Sequence, residues 1–349
     1  MATRLLPEWH PQDAILLSWP SQESDWASML ERIESTLEAM VVAIARYQGV
    51  LISVPTPLVQ SRLERRFARL GVPAERLRLV VAETDDTWAR DHGPLAVEHA
   101  GRLVLHDYEF TGWGGKFPAA RDNTLTRRLA AAGLFAGPVS ERGLVLEGGA
   151  IESDGEGTLL TTEACLLNPN RNPGLDRRAV EEWLHQDFGV NRVLWLANGH
   201  LEGDDTDSHI DTLARFCDPG TIAYVCCDDD QDPHYPALSA MEEELKALRR
   251  ADGQPYRLVP LPWPSPCRDP EDGHRLPATY ANFLIINGAV LVPTYADAAD
   301  ALALAALAHA FPGRDIVPID CRSVIRQHGS LHCLTMQLPR NSLTDTTIC

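Results

Sequence analysis

Five side chains in separate parts of the sequence have the chemistry of a nucleophilic site. Cys333 is a candidate nucleophile, His209 is a candidate acid and base, and Asp91, Glu147 and Asp211 supply carboxyl groups. A thiolate attacks electron-poor carbon when its pKa is lowered, and an imidazole transfers protons near neutral pH. These residue types together suit catalysis through a covalent bond to cysteine.

The three carboxyl groups restrict what the thiol can attack. Their negative charge opposes formation of a thiolate unless a cation lies among them. A planar guanidinium is such a cation, because it forms paired hydrogen bonds with carboxylates. Its charge favours the thiolate and polarises its own carbon. The residue set therefore predicts attack on a guanidinium carbon.

Each of these residues also has a structural interpretation. A single cysteine in an apolar segment, such as Cys333, is usually a small core residue. Asp91, before Gly-Pro, could form a turn, and Glu147, before Gly-Gly, could cap a bulge. His209 and Asp211 could be a solvated pair. Taken one residue at a time, the sequence leaves these alternatives open.

The segments that carry these residues recur along the chain. An apolar strand, a turn with glycine and a second apolar strand are predicted at 94–105, 149–161, 212–225 and 282–292. The turn glycines recur about every sixty residues, which leaves room for five units. Amphipathic helices are predicted at 26–44, 57–70, 121–132, 174–188, 236–250 and 297–311, most of them followed by a short β-rich run.

The fifth hairpin is predicted from the two chain ends, segments 331–338 and 14–19. Their pairing would close a ring and bury two strand edges. We therefore predict an α/β fold, a fivefold pseudosymmetric α/β propeller closed by pairing of the N- and C-terminal strands, with residues 1–349 as a single domain. An open doubly wound sheet is the alternative, but its crossovers would not alternate so regularly with tight hairpins.

A ring of repeats brings equivalent positions to one axis, so the five candidate side chains are expected to meet in a central pocket. On a strand, His209 and Asp211 would share one face, whereas neighbours point to opposite faces. If Cys333 faces the axis, His332 would face away and could not be its base. The Pro-rich segment 255–277 is expected to be a surface loop near this pocket.

Composition and charge narrow the class of partner. The chain has 31 Lys and Arg against 49 Asp and Glu, a net charge of −18. Such a protein repels phosphate backbones, so nucleic acid is not expected as a partner, and small cations are attracted. Acidity that merely aids solubility is the alternative. No signal peptide and no apolar run of membrane-spanning length are visible, so we expect a cytoplasmic protein that does not bind membranes.

Several other site types lack their motifs. The eight cysteines contain no Cys-x-x-Cys pair, and with reduced thiols expected they do not indicate a disulfide framework. His-Glu-x-x-His and Gly-x-Ser-x-Gly are absent, and 112–116 lacks the spacing of a phosphate-binding loop. The Gly-rich residues 112–115 are expected to be a flexible loop at the pocket rim. The acidic run 204–207 fits no EF-hand and is expected to be a solvated loop.

Several motifs together resemble the agmatine deiminase and bacterial peptidylarginine deiminase family, which has the guanidine-modifying, or pentein, fold. They are WARDHGP at 88–94, EGG at 147–149, DSHID at 207–211, LHCLT at 331–335, PEWHP at 7–11, SWP at 18–20, YANF at 280–283 and NGAV at 287–290. The resemblance covers nearly the whole chain in order. It implies hydrolytic deimination without a cofactor or a metal, on a small cationic guanidine.

The resemblance also implies roles for the matching residues. Cys333 would be the nucleophile and His209 the general acid and base. Asp91 and Asp211 would hold the guanidinium nitrogens, and Glu147 would orient His209 or bind substrate. Trp88, in the same motif as Asp91, would contribute to substrate binding.

Agmatine is the leading substrate implied by the resemblance, with free arginine, arginyl peptides or another alkylguanidine as alternatives. The chain departs from the family pattern at His92, Ser208 and 327–330, so the groups that recognise the far end of the substrate are not implied. An amidinotransferase on the same fold and a non-catalytic propeller that binds cations are competing functions. A homodimer is one assembly that the sequence allows.

Overall fold

The computed structural model describes residues 3–344 as an α/β fold. Its first strands are β1 (Thr3–Leu5), β2 (Gln12–Ser18), β3 (Gly49–Val54), β4 (Leu77–Val81), β5 (Leu95–His99), β6 (Arg102–Glu109), β7 (Val139–Val145), β8 (Ile151–Ser153) and β9 (Thr158–Thr162). The others are β10 (Arg192–Leu196), β11 (Ala214–Asp218), β12 (Thr221–Val225), β13 (Arg257–Leu261), β14 (Leu284–Ile286), β15 (Ala289–Thr294), β16 (Asp315–Asp320) and β17 (Thr335–Pro339).

The described residues form nine α-helices, and the six longest lie where the apolar periodicity predicts them. The nine are α1 (Leu30–Ile44), α2 (Pro57–Arg69), α3 (Ala89–His92), α4 (Gly112–Gly115), α5 (Leu125–Ala131), α6 (Glu163–Leu166), α7 (Arg177–Phe188), α8 (Tyr235–Ala247) and α9 (Asp300–Ala310). Helix α7 shows why helix ends can be predicted from sequence. The Asp176 side chain accepts a hydrogen bond from the backbone N–H of Ala179, and Gly189 ends the helix in the left-handed conformation. The three short helices α3, α4 and α6 were not predicted.

The described strands form five separate sheets with one shared pattern. In spatial order the sheets are β1-β5-β6-β7, β10-β9-β8, β11-β12-β13, β14-β15-β16 and β17-β2-β3-β4. Each contains an antiparallel pair, and a third strand runs parallel to the second. A helix lies in the crossover to each third strand, as parallel pairing requires. The four predicted hairpins are confirmed as β5-β6, β8-β9, β11-β12 and β14-β15.

The two ends of the chain share a sheet. Strand β17 pairs antiparallel with β2, with Thr335 opposite Leu17 and Leu338 opposite Ala14. The pairing of the terminal segments is therefore confirmed, but the predicted C-terminal strand is too long. His332–Leu334 form a turn of 3-10 helix instead, and the strand begins only at Thr335.

None of the helices within residues 3–344 has the length and apolarity needed to cross a bilayer. The seven cysteines in this range are all free thiols. Cys349 lies outside the described residues.

Candidate active site

The candidate residues occupy one recurring place in the fold, immediately before the first strand of the antiparallel pair in each sheet. Asp91 lies in α3 before β5, and Glu147 precedes the 3-10 turn Gly148–Ala150 before β8. His209 and Asp211 lie at the 3-10 turn Ile210–Thr212 before β11, and Cys333 lies in the turn before β17. The convergence predicted from the repeat is thus confirmed, although the residues stand on helical turns and not on strands.

Gly149 lies at the point where three of these side chains meet. A Cβ atom built on Gly149 would lie 2.6 Å from Nδ1 of His209, 2.8 Å from Oδ1 of Asp91 and 3.2 Å from Oδ2 of Asp211. The Gly149 N–H donates to Oδ1 of Asp91 at 3.0 Å. Because glycine has no side chain, Gly149 leaves space in which an imidazole and two carboxyl groups come together.

His209 is fully buried between carboxyl groups. Its Nδ1 lies 3.6 Å from Oδ1 of Asp91, and its Nε2 lies 4.0 Å from Oε2 of Glu147. Neither ring nitrogen, nor Oε2 of Glu147, has a hydrogen-bond partner among the described residues. Burial lowers the pKa of His209 to about 3, so the ring is neutral at pH 7 and able to accept a proton.

Glu147 is held by a residue that the sequence analysis missed. Arg171 donates from Nε to Oε1 of Glu147 at 2.9 Å, and it also bonds Asp207 and the carbonyl of Thr206. Burial raises the pKa of Glu147, and the charge of Arg171 opposes that rise. The Glu147 side chain makes no capping hydrogen bond to the 3-10 turn that follows it.

Cys333 faces Asp211 and Asn282. Its Sγ lies 3.9 Å from Oδ2 of Asp211 and 3.4 Å from Oδ1 of Asn282. The same amide oxygen accepts the backbone N–H of His332 at 2.8 Å, and Nδ2 of Asn282 donates to the Asp211 carbonyl at 3.2 Å. Asn282 therefore joins the two turns that carry the thiol and Asp211. It was missed as a site residue, although its place before β14 is equivalent to that of Asp91.

His332 does not face away from this cluster. Its Nδ1 lies 2.8 Å from Oδ2 of Asp211, the oxygen that Cys333 also approaches. The expectation from strand parity is wrong because the residues form a helical turn. His332 is nevertheless a poor candidate for the base, since both of its ring nitrogens are engaged by carboxylates.

The electrostatics of the site oppose a free thiolate. Burial and the nearby charges of Asp211 and Asp91 hold the pKa of Cys333 well above 9.0. Burial, with Asp211 and Glu147 nearby, likewise holds the pKa of Asp91 well above 3.8. For Asp211 burial acts in the same upward direction, but the hydrogen bond and charge of His332 outweigh it and lower the pKa. A cation bound between these groups would lower the pKa values of Cys333 and Asp91.

Trp113 reaches the site from a segment expected to be a flexible rim loop. Its indole Nε1 donates to Oδ2 of Asp91 at 2.9 Å, and its ring meets Phe110 and Phe117 edge to face. Its backbone has φ 55° and ψ 46°, the left-handed conformation that bulky residues rarely adopt. Strain of this kind persists where the surroundings fix it and is common at functional sites.

A cleft opens onto this cluster and encloses about 420 Å³ when its open mouth is included. Trp88, assigned to substrate binding, lines it. The lining residues are Asp25, Asp86, Trp88, Asp91, Trp113, Phe117, Asp205, Thr206, Gln327, His328, Gly329 and Cys333. Four of these described residues are acidic and none is Lys or Arg.

Two other expectations concern the rim of the cleft. The acidic run is not a solvated loop, because Asp207 bonds Lys116 and Arg171 while Asp205 lines the cleft. The segment 255–277 contains strand β13, so the expectation of a surface loop is wrong for Arg257–Leu261, whereas His274 contacts the rim of the cleft. There the ring of His274 stacks on His328 at 5.8 Å.

Two groups of described residues have ligand atoms close enough to hold a metal ion: Glu147, Cys165 and His209, and Glu8, Glu152 and His332. In the first, Arg171 already bonds Glu147. In the second, Arg215 bonds both carboxylates. A guanidinium thus already supplies positive charge at each group.

Comparison with known proteins gives one consistent family. The model for the Porphyromonas-type peptidyl-arginine deiminase family matches residues 4–339. Agmatine deiminase from Pseudomonas fluorescens (strain SBW25) is 35% identical over 95% of this chain and 94% of that protein. A solved structure of a cysteine-to-serine variant of C. jejuni agmatine deiminase with substrate bound has a TM-score of 0.90 and 38% identity, covering 98% of this chain and 97% of that one. A crystal structure from Porphyromonas gingivalis, provisionally described as an arginine deiminase, has a TM-score of 0.90 and 51% identity, covering 98% of this chain and 100% of that one.

Proposed function

Because the chain belongs to the Porphyromonas-type peptidyl-arginine deiminase family, we propose that it hydrolyses agmatine to N-carbamoylputrescine and ammonia. The observation that carries this proposal is the convergence of His209, Asp91 and Asp211 around Gly149, with Sγ of Cys333 3.9 Å from Asp211 and an acidic cleft opening onto Asp91 and Cys333. Buried polar atoms without partners are costly, and several of them point into this space. A guanidinium bound there would satisfy them.

We assign the guanidinium to the carboxylates of Asp91 and Asp211. Oδ1 of Asp211 has no hydrogen-bond partner among the described residues and is free to accept one from substrate. The cation would lower the pKa of both Asp91 and the Cys333 thiol by offsetting the negative charges around them. Substrate binding would thereby prepare the nucleophile.

The first half of the reaction forms a covalent intermediate. The thiol proton passes to His209, and the sulfur of Cys333 bonds to the guanidinium carbon. His209 then returns that proton to a terminal nitrogen, the C–N bond breaks and ammonia leaves. An amidino group remains on Cys333 with its positive charge, so atoms and charge balance.

The second half releases the product. His209 takes a proton from water as the oxygen bonds to the amidino carbon, and the C–S bond breaks. The thiolate regains the proton held by His209. The hydroxyl proton of the departing, positively charged product passes to ammonia, so ammonium and the neutral ureido product are released. Glu147, fixed by Arg171 and 4.0 Å from Nε2 of His209, would orient the imidazole through both steps. Proton transfer supplies only about 10²–10⁴-fold, so charge positioning by the carboxylates must supply much of the rest.

The cleft also bears on the far end of the substrate. Agmatine ends in an ammonium group, which the carboxylates of Asp25, Asp86 and Asp205 would attract. Free arginine carries a carboxylate beside its α-ammonium, and a C-terminal arginyl peptide ends in a carboxylate, a group that these residues would repel. Like-charge contacts cost several kcal/mol, or roughly 10²-fold in binding. Agmatine is favoured over arginine on this basis, with arginyl peptides and amidino transfer to an amine as alternatives.

We also infer the larger organisation. The five sheets and the β17–β2 pairing support a fivefold α/β propeller formed by residues 1–349 as one domain. The free thiols support a cytoplasmic location. A homodimer stays a proposal.

A substrate panel tests the proposal directly. Ammonia and ureido product are measured with agmatine, arginine and an arginyl peptide, in the absence of any other amine. We expect both products from agmatine, with kcat/KM at least about 10²-fold above that for arginine. A preference for arginine or peptide would contradict the assigned substrate. Ammonia release only when an acceptor amine is added would indicate an amidinotransferase. If none of the three guanidines gives a product, with or without an acceptor amine, both the deiminase and the amidinotransferase are excluded.

A further inference from the structure

Glu8 is part of the PEWHP motif near the N-terminus, and none of the steps above uses it. It is buried, 7% exposed, and lies behind the reacting groups. Its Oε2 lies 2.6 Å from Nε2 of His332 and 2.6 Å from Arg215, and its Oε1 accepts the backbone N–H of Ile285 at 2.6 Å. A carboxylate with this many partners has a fixed orientation.

Glu8 is joined to the thiol by an unbroken chain of contacts. His332 bonds Glu8 through Nε2 and Asp211 through Nδ1, at 2.6 and 2.8 Å. Oδ2 of Asp211, the oxygen in contact with His332, also lies 3.9 Å from Sγ of Cys333. An imidazole that donates from both nitrogens to carboxylate oxygens is the doubly protonated cation, because the neutral ring has a single N–H.

We propose that Glu8 is a positioning residue, which keeps His332 in its cationic form so that Asp211 stays ionised and aimed at the guanidinium. This inference rests on the proposed function, since it assigns Asp211 to substrate. Residues that orient a functional ligand through a histidine commonly act this way at metal sites. The lowered pKa of Asp211, a buried carboxyl group, agrees with a cation at its side.

A purely structural role for Glu8 must be separated from this one, because Glu8 also neutralises Arg215. Glu152 provides the matched control. It is buried, and it bonds Nε of Arg215 and the backbone N–H of Phe216, but it has no hydrogen bond to His332 among the described contacts. Glu8→Gln and Glu152→Gln each remove a carboxylate from the same guanidinium and from within 4.8 Å of His332, but only Glu8→Gln removes a hydrogen-bond partner of that ring.

The charged groups that face His332 and Asp211 must be considered in any pH profile. They are Glu8, Arg90, Asp91, Glu152, His209, Arg215 and Cys333. Glu8 and Glu152 share the contact with Arg215, but Glu8 also contacts His332, Arg90 and the Ile285 N–H. His332→Asn therefore accompanies the pair, and an effect common to Glu8→Gln and His332→Asn reports the contact between Glu8 and His332.

The first test uses agmatine kinetics and thermal unfolding. We expect Glu8→Gln to raise KM by roughly 10- to 100-fold at pH 7 and to move the acid limb of kcat/KM to higher pH, because Asp211 accepts a proton more readily. Glu152→Gln should lower Tm by about as much as Glu8→Gln does, but its KM should stay within about threefold of the wild-type value. His332→Asn removes the cation without changing a partner of Arg215, so it should repeat the kinetic effect if Glu8→Gln fails to fold.

The second test does not depend on turnover. NMR of ¹⁵N-labelled histidine should show one ring with two protonated nitrogens at pH 7, lost in His332→Asn and weakened in Glu8→Gln. A neutral His332 ring in the wild type, or equal kinetics in Glu8→Gln and Glu152→Gln, would overturn the proposal. If the wild type releases no ammonia from any guanidine, the proposed function fails, and the NMR result still decides whether Glu8 holds His332 as a cation.

Discussion

Trp113 donates its indole N–H to Oδ2 of Asp91 at 2.9 Å, from a backbone held at φ 55°. Asp91 therefore has one oxygen held by Trp113 and the other by the Gly149 N–H at 3.0 Å. Both donors favour the ionised form of Asp91 against the effect of burial. The Gly-rich segment thus orients the carboxyl group that we assign to the guanidinium.

Trp113→Phe tests this arrangement. The substitution keeps the aromatic packing but removes a hydrogen bond to a charged group, worth roughly 1.5–3 kcal/mol. We expect KM for agmatine to rise by at least about tenfold and the pKa of Asp91 to rise further. Trp263 is the matched control, since its Nε1 donates to Oδ2 of Asp232 at 2.9 Å away from the reacting groups. Equal kinetics for Trp113→Phe and Trp263→Phe would contradict the assignment.

Gly149→Ala tests the convergence point. The new Cβ would lie 2.6 Å from His209 and 2.8 Å from Asp91, too close for either to stay in place. A displacement of about 1 Å in a reacting group can cost about 10²-fold, so we expect kcat/KM to fall by that factor or more. Overpacking should also cost roughly 1–3 kcal/mol in the free energy of unfolding. Gly143→Ala is the control, because nothing lies within 4 Å of its Cβ position. Near-normal activity of Gly149→Ala would mean that these groups do not act together.

The protonation state of Cys333 should depend on substrate. Burial and two neighbouring carboxylates hold the pKa of this thiol well above 9.0, so the thiol form dominates at neutral pH. A bound guanidinium should lower that pKa. We expect the ultraviolet absorbance of thiolate, taken as wild type minus Cys333→Ala from about pH 6 to about pH 10, to shift to lower pH when a guanidinium inhibitor is added. Abundant thiolate at pH 7 without ligand would argue against substrate-assisted ionisation.

Asp86 should control how well the ammonium end of agmatine is recognised. Burial raises its pKa to about 6, although Trp26 and Trp88 donate to it. Below that pH the group is neutral, so it loses its attraction for a cation as pH falls. The ratio of kcat/KM for agmatine to that for butylguanidine, which lacks the amine, should therefore fall as pH drops through about 6.

Asp86→Asn should abolish this pH dependence and lower the ratio at pH 7. Asp25, which is exposed on the same cleft, provides a comparison, because solvent screens exposed charges. A ratio that stays constant with pH in the wild type, or that Asp86→Asn leaves unchanged, would assign the ammonium to another group.

Local patterns in the sequence are enough to locate most helices and hairpins and to give their order along the chain. Apolar periodicity located the long helices, and alternation with glycine turns located four hairpins, because both patterns depend on residues close together in the chain. The repeat also predicted that Asp91, Glu147, His209 and Cys333 would converge. That inference succeeded because each residue occupies the same place in its unit, before the first strand of the antiparallel pair.

The contacts between the site's side chains depend on tertiary packing and could not be predicted from local sequence. Apolar residues at 331–334 suit the start of a strand as well as a helical turn, so strand parity placed His332 on the wrong side of Cys333. Trp113 lies 22 residues from Asp91, Arg171 lies 24 residues from Glu147, and Asn282 lies 51 residues from Cys333. Such contacts depend on the packing of whole sheets, which no local pattern encodes. The contact between His332 and Glu8 likewise joins residues 324 positions apart, near the two strands β17 and β2 that pair in one sheet.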